Sequence, residues 1–202
     1  MKREILEKIL GEIASVKIAV VGDFCLDAYW FIDASKSEVS IETGQLTRPV
    51  KQQRYSLGGA GNVTNNFTAM GVKDVLAFGV IGPDPFGAEM VKVMHENGIN
   101  TENLIVQEQD WSTHVYTKPY IADQEQNRID FGNFNELSNS VANKLIELLN
   151  KAVSDVDVVI INQQVLSGIH TPYFRTKLVQ LIHDFPQKIF IADSRNYSES
   201  YK

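Results

Sequence analysis

Three short segments carry side chains that could do chemistry. The first is Gly22-Asp23-Phe24-Cys25-Leu26-Asp27, directly after an apolar run. A carboxylate such as Asp27, placed where a strand delivers its chain end, can accept two hydrogen bonds from neighbouring hydroxyls of a polyol. Asp23 and Asp27 also suit the plainer task of capping a turn. The second is Leu57-Gly58-Gly59-Ala60-Gly61-Asn62. Adjacent glycines allow positive φ and close backbone approach, the helix that follows offers unpaired N–H groups, and Asn62 adds a donor and an acceptor. The third is Asp193-Ser194-Arg195, also at a strand end, where Arg195 could reach a phosphate or sugar and Asp193 could cap a turn. Gly82-Pro83-Asp84-Pro85-Phe86-Gly87 reads as a turn with Asp84 as a helix cap.

The elements that must position these groups alternate. Met1 to Ser15 reads as an amphipathic helix with Ile5, Leu6, Ile9, Leu10 and Ile13 on one face. Lys17–Val21, Val75–Ile81, Leu104–Val106, Asp157–Ile161 and Lys188–Ala192 are apolar runs of buried-strand type. Between them lie helical patterns. One is Ala60–Met70, with Ala60, Val63, Phe67 and Met70 on one face. Others are Phe86–Asn97, a segment capped by Ser138 or Ser140, and one opened by Thr171-Pro172. This order predicts βαβ units and a mainly parallel sheet with helices on both faces. The polar extended stretches at about 35–57 and 112–132 do not fit that sheet and are expected to form a small β-lid. Within the second stretch, Thr113–Ala122 and Asn127–Phe131 read as strands, and Pro119 places the first of them at an edge.

Composition narrows the classes. The 202 residues are 44% hydrophobic and 22% charged with a formal net charge of −6, and no basic stripe is present. That argues against nucleic-acid or anionic-membrane partners. Cys25 is the sole cysteine, so no intrachain disulfide or cysteine-based zinc site can form, which suits a cytoplasmic protein. His95, His114, His170 and His183 show no metal-ligand spacing, so no metal site is assigned. Neither Gly-x-Gly-x-x-Gly after the first strand nor Gly-x-x-x-x-Gly-Lys-Ser/Thr occurs. Their absence weighs against an NAD-dependent oxidoreductase and a P-loop nucleotidase.

Taken together, these segments resemble the ribokinase/PfkB carbohydrate kinases. The strand with Gly22 to Asp27 resembles that family's first sugar-binding segment. Gly58-Gly59-Ala60-Gly61-Asn62-Val63-Thr64, followed by Gly71, resembles its glycine-pair signature, and Gly82-x-Asp84-x-x-Gly87 its next turn. Thr117-Lys118 through Arg128-Ile129-Asp130 resembles the returning strands of its lid. Leu26-Asp27-x-Tyr29-Trp30 and Arg128-Ile129-Asp130 look most like the heptose-phosphate kinases.

The resemblance implies a ribokinase-like α/β fold with a Rossmann-like sheet and a β-lid. It implies ATP- and Mg2+-dependent transfer of a phosphoryl group to a hydroxyl of a sugar or sugar phosphate. Asp27, Gly58, Gly59, Asn62 and Lys118 would bind the substrate, and Asp193 and Arg195 would lie near a phosphate or nucleotide. A homodimer through the lid is a further implication. The sequence departs from the heptose-phosphate kinases at Asn162-Gln163-Gln164, where an acidic–aromatic pair is expected, and at Asp193-Ser194-Arg195, where Pro-Lys would follow the Asp. One residue more than usual separates Gly71 from Gly82.

Complete members also carry an Asn-x-x-Glu segment and a Gly-Ala-Gly-Asp motif that supplies the catalytic base and anion hole. Neither occurs in residues 1–202. The expectation is therefore a partial, truncated domain without the C-terminal ATP-binding and catalytic part, inactive alone and holding no cofactor tightly. The alternative is a non-catalytic sugar-binding or interaction module.

Overall fold

In the computed structural model, which describes residues 2–201, the chain opens with α1 (Arg3–Glu12) and β1 (Lys17–Gly22). After β2 (Phe24–Ile32) and β3 (Val50–Gly59) come α2 (Ala60–Ala69), β4 (Asp74–Ile81), α3 (Pro85–Glu96) and β5 (Asn100–Val106). Next are β6 (His114–Ile121), β7 (Gln124–Glu125), β8 (Ile129–Phe131) and α4 (Asn139–Ala152). The order closes with β9 (Val158–Gln163), α5 (Pro172–Asp184) and β10 (Ile189–Ser194).

Five strands form a parallel base sheet in the order β10-β9-β1-β4-β5. Its strands are apolar on both faces because both are covered. Ile18 and Val20 of β1 pack with Ala60, Met90 and Met94 under α2 and α3. Ala19 and Val21, the alternate residues, pack with Leu145, Leu149, Phe174 and Leu178 of α4 and α5. Helix starts are fixed by side-chain caps. Ser138 accepts from Val141 N at 3.2 Å, Thr171 from Phe174 N at 3.2 Å, and Asp84 from Gly87 N at 2.9 Å. Pro172 follows Thr171 at the first helical position, where its missing N–H is harmless.

The second sheet has the order β3-β2-β6-β7, with β8 also pairing with β6. β2 lies antiparallel to β3, with Phe24 opposite Gly59, and parallel to β6, with Cys25 opposite His114.

Three expectations are corrected. The segment after Gly22 is not a ligand loop: a nine-residue strand starts at Phe24, and Asp27 lies within it. β6 is an interior strand, with β2 on one side and β7 and β8 on the other. Pro119 is tolerated because pairing with β8 covers Val115–Thr117 and pairing with β7 starts at Tyr120, so the proline falls in the gap. Met70, placed by periodicity on the buried face of its helix, is 57% exposed, because α2 has already ended at Ala69. Residues 33–49 hold little regular structure apart from a short 3-10 turn and one bridge, Val39 to Leu46.

β10 pairs only with β9 among the described residues, and Ile189 and Ile191 on it are 58% and 51% exposed. An apolar strand edge of this kind templates pairing with another chain. The chain is therefore expected to self-associate in light scattering, and the pair I189K/I191K to reduce that association with little loss of stability. A stably monomeric parent chain would contradict this.

Candidate functional site

The two sheets meet at a corner that one residue defines. Asp23 lies between β1 and β2, 1% exposed, and its carboxylate accepts from three backbone N–H groups: Gln164 at 2.8 Å, Val165 at 3.1 Å and Ile169 at 2.9 Å. Its carbonyl accepts from Ala60 N at 2.9 Å, the first residue of α2. Asp23 thus does more than cap a turn: it holds three separate parts of the chain together.

Above this corner opens a cleft of about 520 Å³ at the carboxyl ends of the base strands. Asp27, Gly58, Gly59 and Asn62 line it on one side, and Asp193 and Arg195 on the other. The structure therefore brings six of the seven sequence-predicted residues to one space. Another cavity, of about 240 Å³ and lined by Lys17, Lys73 and Asp74 among others, lies at the amino-terminal ends of the strands. Open parallel sheets bind ligands at the opposite end, which makes the first cleft the candidate site.

The seventh residue, Lys118, sits behind the wall. Its Nζ lies 2.8 Å from Asp27 Oδ1, both side chains being about one-fifth exposed, and 5.0 Å from the centre of the Tyr29 ring. β6 runs beside β2 with Lys118 opposite Tyr29, which produces this contact. Burial pulls the Lys118 ammonium down, but the Asp27 carboxylate outweighs it and holds the group above its ordinary value. Lys118 thus fixes one oxygen of Asp27 and leaves the other to the cleft.

The double glycine is a geometric necessity at its second member. Gly59 has φ of +54° and ψ of −131°, and a Cβ there would lie 2.3 Å from the Asp23 carbonyl oxygen. Only glycine takes such a backbone without strain.

A smaller side pocket of about 260 Å³ adjoins the cleft and shares Asp27, Gly58, Gly59 and Arg195 with it. Cys25, Tyr116 and Arg128 complete much of its wall. Burial, reinforced by the carboxylates of Asp23 and Asp27, pushes the Cys25 thiol up, and burial likewise raises the Tyr116 phenol, so both are neutral walls. Arg128 escaped the sequence reading as a site residue. Nothing local marks it, because the pocket forms only when β8 folds back onto β6.

The floor behind the cleft contains an amide pair. Asn162 Nδ2 donates to Asp193 Oδ2 at 2.9 Å, while Asn162 Oδ1 is buried with no partner among the described residues. Gln163 Oε1 accepts from Ser194 Oγ at 2.8 Å and Asn196 N at 2.9 Å. His170, 3% exposed, contacts the Asn162 carbonyl through Nε2 at 3.1 Å and the Tyr201 hydroxyl through Nδ1.

A parallel base sheet with a small β-sheet beside a polar cleft at its strand ends is the ribokinase-like α/β architecture. The solved structures agree. A putative phosphofructokinase from Staphylococcus aureus superposes with a TM-score of 0.69 at 18% identity, covering 91% of this chain and 55% of that one. Ribokinase from Thermotoga maritima does so with a TM-score of 0.56 at 18% identity, covering 92% and 56%.

The model of the pfkB family carbohydrate kinases matches residues 16–189, and the chain belongs to that family. Among curated relatives, the bifunctional protein HldE of Trichlorobacter lovleyi is 33% identical over 172 residues, which are 85% of this chain and 34% of the relative. HldE of Geobacter metallireducens is 24% identical over all 202 residues, 40% of its length. The chain thus spans 34% and 40% of the length of these relatives. Among the described residues no helix is long and apolar enough to cross a membrane.

Two outcomes test this geometry. Gly59→Ala is expected to lower unfolding stability by about 2 kcal/mol or more, from positive-φ strain and the clash with Asp23; an unchanged urea midpoint would refute it. Burial depresses His170 and His114 below the ordinary value of 6.5. As pH falls through 6.5 the unfolded chain takes up protons that the folded chain resists, so this stability is complete above that pH and lost below it. Urea midpoints are expected to fall between pH 7 and pH 5.5, and a flat profile would contradict the assignment.

Proposed function

We propose that these residues form the acceptor side of a kinase that transfers the phosphoryl group of ATP to a hydroxyl of a sugar or sugar phosphate. The convergence of Asp27 and Asn62 on one cleft, with Gly58-Gly59 between them, carries the reading. Asp27, steadied by Lys118, accepts hydrogen bonds from adjacent hydroxyls. Asn62, in the first turn of α2, supplies one donor and one acceptor. The glycine pair lets the sugar approach the backbone and lets the second sheet act as a lid. Family membership and the relatives named HldE support the class of reaction.

Phosphoryl transfer depends on positioning and on stabilising charge at the transferred group. The pfkB family implies ATP and Mg2+, and a ribokinase neighbour from Cryptococcus neoformans was solved with ADP. Among the described residues no three carboxylate, imidazole or thiol groups gather where they could hold a metal ion. Nucleotide and metal would then be held by residues of a longer protein, with this chain supplying the acceptor side. The short coverage of the relatives supports that division, as does the lack of a Gly-Ala-Gly-Asp motif in this sequence. A non-catalytic sugar-binding module would use the same residues.

Calorimetry of this chain with a panel of pentoses, hexoses and heptoses is expected to detect binding. Asp27→Asn and Asn62→Ala should each weaken it about tenfold or more, the scale of a hydrogen bond to a charged or buried group. The reading frame beyond Lys202 is expected to encode Gly-Ala-Gly-Asp, and the longer product to phosphorylate the bound sugar while this chain alone does not. Absence of sugar binding would overturn the reading, and binding without transfer by the longer product would favour the module.

A further inference from the structure

The cavity of about 240 Å³ lies at the opposite ends of the base strands from the cleft. Four charged side chains stand around it. Lys17 begins β1, Lys73 and Asp74 lead into β4, and Asp155 ends the short turn that follows α4. Its floor is apolar: Leu76, Ala152 and Val156 belong to the core between the base sheet and α4 and α5.

The strand register brings two of these charges side by side. Lys17 and Asp74 are direct partners in the parallel pairing of β1 with β4. Side chains alternate along a strand, so Lys17 shares a face with Ala19 and Val21, and Asp74 with Leu76 and Phe78. Both faces are the one covered by α4 and α5. Opposite charges so placed can pair across the strands. Here they do not: none of the four side chains makes a hydrogen bond or ion pair among the described residues.

Two cations and two anions therefore ring one space unmatched, which excludes most classes of ligand. A phosphate or other dianion would meet Asp74 and Asp155, and a divalent cation would meet Lys17 and Lys73. A neutral sugar would leave all four charges unused and lay hydroxyls on an apolar floor. A zwitterion satisfies both signs at once. The C-terminal end of α4 reaches the same wall, and its partial negative charge favours an ammonium group there. The volume falls below the roughly 300–1,000 Å³ of pockets that take drug-sized ligands, and suits a small metabolite.

We propose that this cavity binds a free α-amino acid with an aliphatic side chain. The carboxylate lies on Lys17 and Lys73, the ammonium on Asp74 and Asp155, and the side chain on Leu76, Ala152 and Val156. The site is separate from the sugar cleft: β1 runs from Lys17 at the cavity to Gly22, next to the Asp23 corner.

The test is calorimetry of this chain with L-leucine and L-valine. Three analogues serve as controls: isoamylamine, which lacks the carboxylate, isocaproate, which lacks the ammonium, and glycine, which lacks the side chain. All four charged groups are exposed, so leucine is expected to bind with a millimolar or tighter dissociation constant that weakens as salt is raised. Each analogue should bind about tenfold more weakly or worse. Lys17→Met and Asp74→Asn should each weaken leucine by about tenfold, and Lys36→Met, remote from the cavity, should leave it unchanged. Urea midpoints will confirm that the variants fold; Lys73→Met and Asp155→Asn replace either that does not.

Absence of binding by leucine and valine at tens of millimolar overturns the proposal. So does leucine binding that survives both Lys17→Met and Asp74→Asn. Isoamylamine or isocaproate binding as tightly as leucine assigns the cavity to a singly charged ligand and overturns it too. Glycine binding as tightly removes the part played by the apolar floor and with it the aliphatic class. Sugar binding in the cleft is measured separately and is untouched by any of these results.

Discussion

The site depends on one buried carboxylate. Asp23 is almost fully enclosed, and a buried charge is tolerable only when its oxygens are filled by donors. Here three backbone N–H groups from the β9–α5 connection fill them. The connection must come very close to do so: a Cβ on Gly168 would lie 2.1 Å from Asp23 Oδ1. With the Asp23 carbonyl on Ala60 N, the corner also fixes where α2 begins. Each wall of the cleft is thereby referred to the same residue. Asp27 follows it along β2, Asn62 follows Ala60 along α2, and Gln164 is bound directly. A polar cleft between two sheets would otherwise vary with the angle between them; tying both to one set of hydrogen bonds gives the groups that line it defined separations.

The base sheet was largely legible in the sequence because two-sided burial leaves long apolar runs that nothing else explains. KIAVV, VLAFGVI and DVVII each form a strand buried on both faces. The caps were legible for a similar local reason: Asp84, Ser138 and Thr171 act on N–H groups three residues away. β2 was not. Its inward positions Phe24, Leu26 and Ala28 alternate with Cys25, Asp27 and Tyr29, a period-2 signal hidden by the Gly22-Asp23 break before it. Register was equally out of reach. Nothing local shows that Lys118 falls beside Asp27, because 91 residues separate them and only the parallel pairing of β2 with β6 joins them. The pairing that puts Lys118 Nζ 2.8 Å from Asp27 Oδ1 therefore belongs to the fold and not to any local pattern.

Two places where the sequence departs from the heptose-phosphate kinase pattern prove to be one structural unit. Asn162 and Gln163 end β9, and Asp193 and Ser194 end β10 in register with them. The Asn162 amide binds the Asp193 carboxylate, and the Gln163 amide binds Ser194 and Asn196. Asn162 stands opposite Asp193 across the parallel strand pair, so its amide donor meets that carboxylate without like-charge repulsion. The side-chain oxygen of Gln163 accepts from the turn that follows β10 and anchors it. The turn they hold is the one that carries Arg195 to the wall shared by the cleft and its side pocket, so the ends of β9 and β10 help set the charge there.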